Sequence, residues 1–97
     1  MKVADIARKL PVTITLSTLG GESSFSVVNQ GGILRIINSA GSHHKLDDAH
    51  VQAVYLRYRS LPATQRHTAS EYVDPKWPAR PNRIFSPYVA RIISYIL

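Results

Sequence analysis

The stretch Ser24-Phe25-Ser26-Val27-Val28-Asn29-Gln30-Gly31-Gly32-Ile33-Leu34-Arg35-Ile36-Ile37-Asn38 decides the fold. Two β-rich runs, Ser24 to Asn29 and Ile33 to Asn38, flank Gln30-Gly31-Gly32. The paired glycines supply the positive-φ positions that a tight hairpin needs. In the second run Ile33 and Ile37 point one way and Leu34 and Ile36 the other, with Arg35 the exception. That pattern predicts a central strand covered on one face at least. Arg35 is expected on the open face of the sheet; the competing role is an anion ligand in a cleft.

Upstream, Val12, Ile14 and Leu16 alternate with Thr13 and Thr15, a half-buried strand of β-branched residues that Gly20-Gly21 breaks. Before it, Val3, Ile6, Ala7 and Leu10 sit at helical spacing, and Pro11 stops the run. Downstream, Asn38 to Ser42 is a turn cluster expected to end the sheet. Asp47 or Asp48 can cap a helix near 47–61, in which Val51, Val54, Tyr55, Tyr58 and Leu61 form an apolar stripe. Ala63 to Glu71 reads as a second, weaker helix. Tyr72 to Arg83 holds Pro75, Pro78 and Pro81, so regular structure is not expected there. Ser86 as N-cap and Pro87 at the next position open a helix near 87–97, whose apolar face is Val89, Ile92, Ile93 and Ile96. The apolar Tyr95-Ile96-Leu97 end is expected to dock.

These elements predict one α+β domain over residues 1–97. A small three-stranded, mainly antiparallel sheet is packed by two or three helices, strands first and helices after. The predicted core is Ile14, Phe25, Val27, Leu34, Ile36, Val51, Val54, Tyr55, Tyr58, Val89, Ile92, Ile93 and Ile96. A homodimer is the expected assembly, because a chain this short has limited means of covering its apolar surface.

Composition narrows the function. The apolar fraction is 44% and the charged fraction 19%, as in globular proteins. Cysteine is absent, which excludes thiolate metal sites and a Cys nucleophile and favours a reducing, cytoplasmic setting. No apolar run spans a bilayer, and Asp5, Arg8 and Lys9 interrupt any leader-like segment. There is no Walker loop, no G-x-G-x-x-G and no G-x-S-x-G elbow, so no cofactor and no catalytic residues are assigned. His43, His44, Asp47, Asp48 and His50 bring metal-ligating types together, but not at the i, i+4 spacing of a helical pair. The simpler expectation is a polar turn before a capped helix, with the histidines in solvent.

Charge is unevenly placed. Residues 1–50 carry a net +1 and residues 51–97 a net +5, within a chain total of +6. Six of the seven basic residues of the second half are Arg, with Tyr55, Tyr58, Tyr72, Trp77, Tyr88 and Tyr95 among them. Arg forks bind phosphate bidentately and stack on aromatic faces. The leading expectation is a non-catalytic module that binds DNA or RNA. Arg57, Arg59, Arg66, Lys76, Arg80 and Arg83 would contact phosphates, and Trp77 would stack. On a helix Arg57 and Arg59 stand about 200° apart, so they do not share a face. Trp77 has an opposing role as the plug that ties a Pro-rich loop to the core. The alternative is a homo-oligomeric interaction module for an acidic protein. An enzyme acting on a small anion is the third reading; it requires a pocket beside Arg35 or His44.

From Phe25 through Gly31-Gly32-Ile33-Leu34-Arg35-Ile36-Ile37-Asn38-Ser39-Ala40-Gly41 to Leu46, then Val51, Val54, Arg57, Tyr58 and Leu61, the chain resembles a hairpin-then-helix module. The module is that of small uncharacterised bacterial proteins carried on mobile gene cassettes or in defence-associated loci. This resemblance implies a bacterial cytoplasmic setting and is compatible with a nucleic-acid partner.

Overall fold

The central hairpin forms as two antiparallel strands, β2 (Ser24–Gln30) and β3 (Ile33–Asn38), in the computed structural model, which describes residues 1–82 and 84–97. Gly31 and Gly32 take φ of 60° and 84°, so both central turn residues are left-handed and the two-residue turn follows the strand twist. β1 (Thr13–Ser17) pairs antiparallel with β2. A fourth strand, β4 (His43–Lys45), pairs with β3 and completes a meander of order β1-β2-β3-β4. The three-stranded expectation is therefore corrected. Asn38 to Ser42 does not end the sheet but turns it: the Asn38 side-chain oxygen accepts from the Ala40 and Ser42 N–H groups, and Gly41 takes φ 83°.

Residues paired directly across antiparallel strands share a face. The register puts Ile14, Leu16, Phe25, Val27, Leu34, Ile36 and His44 on one face. All of these are buried or half-buried, and they meet the helices. The other face is open.

Helix α1 (Val3–Ala7) buries Ile6, and the Asn29 amide ties its end to the sheet by donating to the Ala7 and Leu10 carbonyls. It is one turn shorter than the Val3 to Leu10 pattern suggests. Helix α2 (Asp48–Ser60) starts where predicted, with Asp47 accepting from the His50 N–H at 2.8 Å. The expected weak helix over 63–71 is two short 3-10 turns, Ala63–Gln65 and Ala69–Tyr72. Helix α3 is Ser86–Ile96. Its N-cap is Phe85, not Ser86, because the Ser86 hydroxyl donates to the Asn82 carbonyl instead.

The core contains most of the predicted set. Ile14, Tyr55 and Ile96 only pack against its edge, while Ile6, Leu10, Leu16, Leu46, Leu61, Tyr72, Phe85 and Ala90 join it. Tyr72 is fully buried and its hydroxyl donates to the Arg66 carbonyl at 2.7 Å, which satisfies its polar end. The last turn is only partly docked: Tyr95 and Leu97 stand exposed beyond Ile96. No described helix is long and apolar enough to cross a membrane.

Candidate anion-binding surface

The cations of the second half meet very different surroundings. The Arg57 guanidinium donates to the Glu71 carbonyl at 3.0 Å, the Glu71 carboxylate at 3.4 Å and the Lys76 carbonyl at 3.2 Å. Arg66 donates to the Leu61 and Arg59 carbonyls and lies over the Tyr58 ring. Arg80 pairs with Asp74, its side chain only 10% exposed. Arg57 and Arg66 thus tie the chain after α2 back to the helix, while Arg80 braces the Pro-rich segment internally. Lys76 reaches Glu71 at 3.7 Å but remains mostly exposed, and Arg59 lies exposed over Tyr55. Trp77 is half-buried against the core. Arg83 lies outside the described residues. Of the sequence-predicted set, Arg59 and Lys76 are the described cations left facing solvent.

The open face of the sheet carries a second group of cations. Arg35 stands directly opposite Lys45, and His43 lies on the same face opposite Ile37. Side chains so placed have Cβ atoms about 5 Å apart, and like charges there repel. No strand position on this face is Asp or Glu; the neighbours are Thr13, Thr15, Ser17, Ser24 and Ser26 with a few aliphatics. Among the described residues neither Arg35 nor Lys45 has an ion-pair partner. The signal was present in sequence as His43 and Lys45 at strand spacing. It is hidden because β4 is a short run of three polar residues without a β-branched pattern.

The histidines are not all in solvent, which corrects the simpler expectation for them. His44 Nε2 lies 3.1 Å from His50 Nδ1, and His50 Nε2 lies 3.2 Å from the Ser86 hydroxyl. Since that hydroxyl gives its proton to the Asn82 carbonyl at 2.8 Å, His50 Nε2 must donate to it, and His44 Nε2 must donate to His50 Nδ1. His50 is 3% exposed. Burial pulls its pKa from 6.5 down to about 4, helped by His44 and opposed by Asp47. Burial also lowers His44, whose ring stacks on Phe85 at 4.7 Å. The chain resembles a nucleophile and its base, yet Ser86 is fully buried and its proton is already committed. It therefore locks β4, α2 and the start of α3 together rather than performing hydrolysis. Among the described residues no cluster of three or more metal-ligating side chains converges.

Comparison with known proteins adds no family to this geometry: no protein-family model, no curated protein and no solved structure matches the chain.

Proposed function

We propose that this protein is a non-catalytic nucleic-acid-binding module that holds phosphates on the open face of its sheet. The observation that carries the reading is Arg35 facing Lys45, with His43 beside them and no Asp or Glu at the strand positions of that face. Two uncompensated cations across a strand pair weaken the sheet unless an anion lies between them. A phosphodiester supplies that anion, Arg35 can grip it bidentately, and the hydroxyls of Thr15 and Ser26 add neutral donors. Such contacts position a backbone without reading its sequence. Arg59 and Lys76 are the remaining exposed candidates from the second half and would extend the contact. A bacterial cytoplasmic setting, implied by the resemblance of residues 25–61, fits this role.

Fluorescence anisotropy with labelled duplex DNA and single-stranded RNA across a salt series tests the reading. Affinity should fall log-linearly with salt, and Arg35→Gln with Lys45→Gln should lower the slope by about 2 on duplex DNA, close to 0.9 per lost contact. Arg59→Gln with Lys76→Gln measures the share of the second half. No binding at low salt overturns the proposal.

The second reading, a homo-oligomeric interaction module, is favoured by Leu56 on α2 and Tyr95 and Leu97 at the end of α3, all about half exposed or more. Light scattering would detect a dimer, which Leu56→Glu should dissociate.

A further inference from the structure

Away from the strand cations, the turn between β1 and β2 borders a cavity of about 380 Å³ lined by Ser17, Gly20, Gly21, His67, Arg91 and Ser94, together with Thr18 and Leu19. Its cation is held in place but not neutralised. The Arg91 Nε–H donates to the Ser17 carbonyl at 3.0 Å, and Nη1 donates to the Ser94 hydroxyl at 3.4 Å. Both acceptors are uncharged, no lining residue is acidic, and Nη2 has no partner among the described residues. The guanidinium is therefore pre-oriented with donors to spare.

Gly20 supplies a second, independent observation. Its φ lies outside the left-handed region, and a Cβ built on it would meet nothing within 4 Å. Neither backbone conformation nor crowding requires a glycine there. What the missing side chain leaves is uncovered backbone at the cavity wall, where a ligand can approach closely.

The same wall serves another cavity. Thr18, Leu19 and Gly20 also line a partly open space of about 180 Å³, together with Glu22, Ala69, Pro87 and Tyr88. A dry cavity of about 150 Å³ accepts benzene, so this space suits a phenyl-sized group.

We propose that the two cavities together bind a small organic phosphate. Its phosphoryl group sits at Arg91 and His67, and its apolar body lies against Leu19, Pro87 and Tyr88. A phosphoryl group suits this site because its terminal oxygens accept from several donors at once, and Arg91, His67 and Gly20 line one space.

The test is a titration of the ¹⁵N-labelled protein with phenyl phosphate, followed by amide shifts. The largest shifts should fall on Leu19, Gly20 and Gly21 and on the Arg91 side chain. Inorganic phosphate should bind at least tenfold more weakly, because it cannot use the apolar space. Arg91→Gln and Gly20→Leu should each weaken phenyl phosphate at least tenfold. Gly20→Leu adds volume where the fold leaves room, so its amide spectrum should otherwise match the parent and separate loss of the site from loss of folding. No saturable shift at millimolar phenyl phosphate overturns the proposal. So do largest shifts on β3 and β4, equal binding of inorganic phosphate, or an unchanged affinity in Gly20→Leu.

Discussion

Acid should weaken this fold well before its carboxylates protonate, and His50 is the reason. In the native state the ring is neutral, buried and bonded on both sides: Nδ1 accepts from His44 and Nε2 donates to Ser86. The charged and titratable groups facing it are His44 from β4 and Asp47 from the helix cap, with the Ser86 hydroxyl from α3. Protonating Nδ1 breaks the bond from His44 and places a charge in the core. The folded pKa, about 4, lies below the unfolded value of 6.5, so the unfolded chain binds more protons between them. The contribution of His50 is thus complete above pH 6.5 and is lost as pH falls toward 4. At 1.36 kcal/mol per unit, the full loss is about 3 kcal/mol, of which about 2 kcal/mol is gone by pH 5. That is a large share of the ~5–15 kcal/mol expected for a domain. His44, also lowered, adds in the same direction. Asp5 is held below its ordinary 3.8 by the Lys2 N–H, so its contribution is lost only at more acid pH. Urea unfolding followed by Trp77 fluorescence and circular dichroism, from pH 7.5 to 4.5, measures the slope. His50→Gln keeps a neutral polar group but cannot titrate. It should be less stable at pH 7.5 by about 1–3 kcal/mol from the impaired hydrogen bonds, and its curve should approach that of the parent as pH falls. A parent stability that stays flat over this window, or a His50→Gln variant that keeps the parent slope, would refute the reasoning.

Lys45→Glu turns the repulsive pair with Arg35 into an attractive one, so it should raise stability by about 0.5 kcal/mol while weakening nucleic-acid binding; denaturant melts and anisotropy read the two opposite signs. Arg57→Met leaves the Glu71 and Lys76 carbonyls without their donor and the Glu71 carboxylate with Lys76 alone, and should cost about 2 kcal/mol in urea unfolding, whereas Arg59→Gln should stay within about 0.5 kcal/mol. Tyr72→Phe removes the donor to the Arg66 carbonyl at a fully buried site and should lower stability by about 1 kcal/mol with no change in secondary structure by circular dichroism.

The hairpin, α2 and α3 were legible because each is long enough for its period to show. Gly31-Gly32 marks its turn, Asp47 caps its helix, and Val89, Ile92 and Ile93 recur at helical spacing into the core. β4 was not legible: it is three polar residues, His43-His44-Lys45, and its strand character comes from pairing with β3, not from β-branched side chains. Ser86 misled for a different reason. Its hydroxyl has the chemistry of a cap, but the Asn82 carbonyl and His50, distant in sequence in the latter case, take it up.

The fate of the cations rests on the same distinction. Charge is countable in a sequence, whereas the acceptors that hold an arginine are not, because most of them here are carbonyls. Arg57 meets those of Glu71 and Lys76, and Arg66 those of Leu61 and Arg59. A backbone oxygen has no residue type to signal it, so Arg57 and Arg66 look like parts of a binding surface while their donors are taken up within the fold. The first half has a net charge of only +1, but the pleat places Arg35 and Lys45 side by side on a face whose strand positions hold no Asp or Glu. In the proposed reading, the absence of internal acceptors, rather than the local density of charge, marks the anion site. By that criterion the open sheet face ranks above Arg57, Arg66 and Arg80, and the Arg91 cavity, whose two acceptors are neutral and leave donors unused, ranks beside it.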